Sequence, residues 1–316
     1  ADAKAKIKVK SCTLTPQGTP WEQYAKEIIK HVRADSKGDI KVKVYWGGSK
    51  GNEKECAEKV KNNKLQMYAG TTAGINQFVP ELDVFDLPFL WKSIEEADYV
   101  MDKHLMEPAK RALAAGGFVF YQWSENGWHG IGLTGKFIKS PADLQGMKIR
   151  IPHSRLHELI WTGFGATPVK LSPIKVSDAL VDGTIDAFSM PPLYTFAGGW
   201  QAHISHYTIS DHIFQQGMVA YSKTFFDSVA PQYQKIFLSN VQADMDQGRK
   251  LIRTLAPTLI ANLRDYGLKI YELTDAERAT FSAKAKSIRG AFEKEASAST
   301  RAFLKAIDVG KAAFKK

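Results

Sequence analysis

Short alternating apolar segments take turns with helically spaced ones from Ile7 to Tyr121, and this rhythm constrains the fold more than any other feature of the chain. Ile7 and Val9 begin a strand. Trp21, Ala25, Ile28, Ile29 and Val32 follow helical spacing, with Gly38 as a stop. Ile40, Val42, Val44 and Trp46 alternate again, and a polar helix is predicted around 53–62. Leu65–Tyr68 and Phe118–Tyr121 read as further strands, and Ser93-Ile94-Glu95-Glu96 as a capping box opening a helix. Strand, helix, strand in this order predicts an α/β fold with a parallel-rich sheet covered by helices.

A second unit repeats the grammar. Ile131–Leu133 and Ile149–Ile151 are strand candidates on either side of a capped turn, Ser140-Pro141-Ala142-Asp143. Leu156, Leu159, Ile160 and Phe164 carry a helix, and Ala187-Phe188 enters another strand. Beyond Pro231 the chain reads as nearly all helical, with a capping box at Thr274-Asp275-Ala276-Glu277. The 316 residues exceed what one core of ordinary size organises, so two lobes are expected.

Composition narrows the function. No apolar run reaches the roughly 18–20 residues that a membrane span needs. Two cysteines exclude a disulfide-rich scaffold and a four-cysteine zinc site. The net charge of +10 raises the question of nucleic acid, but the lysines are spread rather than clustered. We read a positively charged, solvated surface, with attraction of anionic small molecules as a second use of the charge and no nucleic acid as partner. The alternation Lys4-Ala5-Lys6-Ile7-Lys8-Val9-Lys10 predicts an edge strand whose lysines deter aggregation. Ala1-Asp2-Ala3-Lys4 reads as a terminus trimmed of a signal peptide.

Catalytic signatures are weak: there is no His-Glu-x-x-His, and Gly47-Gly48-Ser49-Lys50-Gly51 lacks the Walker spacing and reads as a tight turn before a helix. His153 and His157 sit four apart, as a metal pair or as capping and surface residues. No third ligand accompanies them, so neither metal nor cofactor is expected. His129, His153 and His157 are the acid–base candidates of an enzyme reading, which lacks a nucleophile with a partnered base. Cys12 and Cys56 would close a loop of 44 residues (56 minus 12). A bridge there contributes roughly 4 kcal/mol if geometry permits, and two unpaired thiols are the alternative. Trp46, Trp123 and Trp128 fall at or beyond predicted strand ends, where open α/β sheets bind ligands, although any one of them fits core packing. Arg150, between Ile149 and Ile151 and just before Pro152, either grips a carboxylate through two parallel hydrogen bonds or is an ordinary exposed arginine on a strand edge.

Around these residues the sequence resembles the periplasmic solute-binding subunits of tripartite ATP-independent periplasmic (TRAP) transporters, the DctP family. The resemblance rests on Gly51-Asn52-Glu53-Lys54-Glu55, on Val79-Pro80-Glu81-Leu82 with Asp86-Leu87-Pro88-Phe89-Leu90, on Ser140–Pro152, and on Gly165-Ala166-Thr167-Pro168 followed by Ala179-Leu180, Gly183 and Asp186. It implies a two-lobed periplasmic-binding-protein fold with mixed sheets, inter-lobe crossover strands and a long hinge-spanning helix. The expected lobes are 1–124 with about 212–250, and 125–211 with about 251–300, followed by a helical tail at 301–316. It implies a periplasmic protein, not inserted in the membrane, that captures an organic anion between its lobes without catalysis and delivers it to a membrane permease. Arg150 inherits the carboxylate grip. Gly130, Ser189, Met190 and Pro173 replace polar or aromatic residues of other members, which predicts a roomier, less charged pocket for an acid with a sizeable apolar body. Met190, His153, Trp128, Phe214, Thr72 and Trp46 complete the candidate site. A sensor, or a carrier of a largely apolar molecule, is the alternative.

Overall fold

The computed structural model describes residues 5–315; the terminus Ala1–Lys4 and Lys316 lie outside them. The strands are β1 (Ile7–Cys12), β2 (Ile40–Tyr45), β3 (Met67–Thr71), β4 (Phe118–Leu133), β5 (Lys148–Ile151), β6 (Thr167–Lys170), β7 (Ala187–Met190), β8 (His206–Ser222) and β9 (Lys269–Glu272). Their hydrogen-bonded order is β2-β1-β3-β8-β4-β7-β5-β6, with β9 on β8. Parallel and antiparallel pairs mix: β1 runs parallel to β2 and β3, and β8 antiparallel to β3.

The chain divides into two compact units. The first comprises residues 1–79, 109–125 and 216–254, and the second residues 80–108, 126–215 and 255–316. The long strands β4 and β8 and the helix Val241–Asp265 each contribute residues to both.

In the first unit, Thr19 caps the helix Pro20–Asp35 by accepting the Glu22 N–H, and Pro20 fills a first-turn position that needs no donor. That helix packs Tyr24, Ile28 and Val32 against Val9, Ile40 and Tyr221. The helix Glu53–Lys61 starts with a complete capping box from Asn52 and Glu55. Its Cys56 and the Cys12 of β1 are buried free thiols. The lysine-rich β1 is not the outermost strand, because β2 takes that place and pairs along all of β1, while β3 joins β1 at Ser11 and Cys12.

In the second unit, β5 lies between β6 and β7, parallel to both, and β7 pairs antiparallel with β4. The helix Arg155–Phe164 starts at Ser154, whose hydroxyl accepts the His157 N–H, and ends at Gly165 in the left-handed region. The helix Asp275–Glu295 opens at the Thr274–Glu277 capping box. Two corrections concern the strands. Phe118–Tyr121 and Ile131–Leu133 belong to one continuous strand, so Trp123 and Trp128 lie inside β4 and not at strand ends. The sequence reading also has no counterpart of β8, whose 17 residues are buried at nearly every position and so show no alternation.

Candidate functional site

Arg150 is fixed by its place in the sheet and by contacts that include Leu171 and Trp200. In register it lies between Val169 of β6 and Phe188 of β7, in the interior of the sheet. It is 5 % exposed, so it is not the ordinary exposed arginine of a strand edge. Its Nε donates to the Leu171 carbonyl at 2.9 Å. Its guanidinium carbon is 5.7 Å from the centre of a Trp200 ring, a cation–π distance. Trp200 in turn meets Phe188 edge-on at 4.9 Å. A buried guanidinium costs free energy unless it is bonded, and one fixed at Nε presents its fork in a set direction.

Met190 lies two residues beyond Phe188 and shares its side of β7. It packs in the buried apolar cluster of Val176, Ile185, Phe188 and Trp200. Gly130 faces it across the β4–β7 ladder. The volume at Gly130 is not open, because the Tyr207 ring fills it and the Tyr207 hydroxyl donates to the Met190 carbonyl at 2.8 Å. At this position the expectation of a roomier pocket is corrected: an aromatic ring occupies the space.

Behind Arg150, on the opposite side of the strands, sits a closed hydrogen-bond ring. His129 Nδ1 and Ser189 Oγ are 2.6 Å apart, and Ser189 Oγ is 3.1 Å from His212 Nε2. His212 Nδ1 is 2.8 Å from Ser210 Oγ, which donates to the His129 carbonyl at 3.3 Å. Because the Ser210 proton goes to that carbonyl, His212 must donate from Nδ1 and accept at Nε2 from Ser189. Ser189 then accepts from His129 Nδ1–H, and every proton in the ring is used once. Both imidazoles are neutral in this assignment. Burial, reinforced by the neighbouring His212, His157 and Arg150, pushes the His129 pKa well below the ordinary range. Burial, with His157 and Arg278 nearby, lowers that of His212 to about 3. Ser189 is therefore bonded to two rings with no carboxylate behind either, which is a clamp between strands and not an activated nucleophile.

The other candidates divide between the units. Trp128 and Phe214, both in the second unit, stack at 4.8 Å with 27° between planes. His153 is exposed in the turn after Pro152. His157 is buried and bonds Asp86 through Nε2 at 2.8 Å, so it has neither a surface role nor a face shared with His153. Among the described residues no group of three or more His, Cys, Asp and Glu is placed to hold a metal ion. In the first unit, Thr72 is buried with its hydroxyl donating to the Gln216 carbonyl at 3.4 Å, and Trp46 is half-buried just past β2. Sequence reading missed Trp200, Tyr207, Ser210 and His212, and named Ser189 only as a replaced pocket residue. Their positions depend on register between strands far apart in the chain, which no local pattern records.

The family described as "Bacterial extracellular solute-binding protein, family 7" (DctP) matches residues 12–295. The 2,3-diketo-L-gulonate-binding periplasmic protein of Escherichia coli (strain K12) is 25 % identical over 272 residues, covering 86 % of this chain and 82 % of its own length. A TRAP periplasmic solute-binding protein from Roseobacter denitrificans, solved with bound β-D-glucuronate, superposes with a TM-score of 0.89 at 20 % identity, covering 95 % of this chain and 98 % of that one. Another from Sulfurospirillum deleyianum, with bound succinate, gives a TM-score of 0.89 at 22 % identity over 96 % and 99 % of the two chains. The fold is thus that of the two-lobed TRAP binding proteins. Since the family match spans most of its length, the chain belongs to the DctP family of bacterial extracellular solute-binding proteins.

Proposed function

We propose that this protein captures an organic acid in the periplasm and hands it to a TRAP-type membrane permease. The observation that carries the reading is Arg150, buried in the sheet interior, tied at Nε to Leu171 and backed by Trp200. A guanidinium set in this way is suited to a carboxylate held in a bidentate grip, and low local polarity strengthens that pair. The relatives support the ligand class, since diketogulonate, glucuronate and succinate, the ligands named for them, are all carboxylates. Met190, Trp128 and Phe214 are proposed as flanking apolar contacts for the body of the acid, and His153, Thr72 and Trp46 as further contacts. With Gly130 and Tyr207 at the position where the resemblance implies a second basic grip, we favour one carboxylate and an apolar or hydroxylated remainder.

The role is capture without turnover. Among the described residues no helix is long and apolar enough to cross a membrane. Native mass spectrometry of protein purified without refolding tests the reading. A retained small acid, released unchanged on denaturation, supports it. A retained neutral apolar molecule contradicts it and favours the carrier alternative.

A further inference from the structure

β1 and β2 run parallel and in register, with Lys8 opposite Lys41 and Lys10 opposite Lys43. Alternation puts Ile7, Val9, Ile40 and Val42 on one face and these four lysines on the other. All four are exposed, while Val9 and Ile40 are buried in the core. Strand geometry roots the four stems in a rectangle about 7 by 5 Å. At one end of the array, Lys6 is paired with Asp39 at 2.9 Å. At the other end, Lys43 and Lys50 lie 4.9 and 4.5 Å from the centre of the Tyr45 ring. Among the described residues no carboxylate pairs with Lys8, Lys10, Lys41 or Lys43.

Like charges directly opposite one another in a ladder oppose folding. Edge protection accounts for Lys41 and Lys43 on the outermost strand β2, but not for the second row of lysines, Lys8 and Lys10, set opposite them on β1. We propose that this face docks on an anionic lipid surface, which would hold the binding protein near its permease. Charge complementarity points to an anionic partner. The choice of lysine points to lipid: four flexible point charges suit laterally mobile phosphates, whereas a specific protein interface draws on arginine forks and buried aromatic anchors. Tyr45 at the end of the array is the kind of amphipathic ring that sits at headgroup level. The proposal is independent of the acid site at Arg150.

Sedimentation of the full chain with vesicles tests it, using phosphatidylcholine alone and phosphatidylcholine with about one-third phosphatidylglycerol, each at low and high salt. The parent protein binds the anionic vesicles only, and less at high salt. The variant Lys8→Gln, Lys10→Gln, Lys41→Gln, Lys43→Gln loses at least about tenfold in partitioning. A control removes four exposed lysines of the C-terminal helices, Lys284, Lys286, Lys294 and Lys305, for the same change in net charge. It loses no more than about twofold. Equal losses in the two variants overturn the proposal, as does failure of the parent protein to bind anionic vesicles. Lysine-dependent binding to the detergent-solubilised permease without vesicle binding also overturns it, and assigns the face to a protein. Acid affinity is unchanged in the β1–β2 variant, so this proposal and the function reading fail separately.

Discussion

The ring of Tyr207 stands where a side chain at Gly130 would go. A Cβ built on Gly130 would come closer than 3.0 Å to the Tyr207 ring carbons and hydroxyl oxygen. The ring has little freedom to give way, because it is buried and its hydroxyl is bonded to the Met190 carbonyl. Gly130 is therefore required by packing across β4, β7 and β8, apart from any contact with a ligand.

Gly130→Ala is expected to cost about 1–3 kcal/mol through overpacking. The double variant Gly130→Ala, Tyr207→Leu is expected to cost less than the sum of the two single changes, since removing the ring relieves the clash. Denaturant unfolding of the four proteins measures this. A neutral Gly130→Ala would contradict the packing account.

The buried His129–Ser189–His212–Ser210 ring makes stability depend on pH. Both histidines have folded pKa values below the ordinary value of 6.5, with His212 at about 3. On unfolding each is free to take up a proton below pH ~6.5, so the unfolded state binds more protons there. The stability they contribute is present above that pH and is lost as pH falls from 6.5 toward 3. The thermal midpoint is expected to drop across this window in calorimetric scans. His212→Gln is expected to be less stable at neutral pH but to show a shallower drop. A His212→Gln slope equal to that of the parent protein would remove the ring as its cause.

Cys12 is expected to be unreactive in the folded protein. Hydrogen bonding to Cys56 and burial push the Cys12 thiol up, and the thiolate is the reactive form. Titration with a thiol reagent under non-reducing conditions should find almost no reaction before unfolding and two equivalents afterwards. Rapid labelling of both thiols in the folded state would contradict their burial, and no thiols after unfolding would show a disulfide.

Local chemistry made part of this structure legible. The helix Pro20–Asp35 is announced by Thr19, Pro20 and its apolar spacing, and the helix Asp275–Glu295 by Thr274 and Glu277. Arg150 stands out because Ile149 and Ile151 flank it and Pro152 ends its strand. Phe118–Tyr121 and Ile131–Leu133 read as two separate strands, yet one continuous β4 runs through both and takes in Trp123 and Trp128. β8 escaped notice because it is buried on both sides and carries the polar pair Gln215–Gln216 at its centre. The residues around Arg150 were legible only as a resemblance. Trp200 beneath its guanidinium and Leu171 at its Nε come from separate segments, brought together by sheet register.

Capture of the acid turns on the guanidinium of Arg150, and calorimetry tests this most directly. Uronic acids and C4-dicarboxylates are first screened by thermal shift, and the best acid is titrated into the parent protein, Arg150→Lys and Arg150→Ala. Loss of a buried charge-assisted pair costs about 2–5 kcal/mol, so Arg150→Ala should bind at least about thirtyfold more weakly. Arg150→Lys should fall between the two, because an ammonium keeps the charge without the fork. A correctly folded Arg150→Ala that binds the acid as tightly as the parent protein would contradict the central claim.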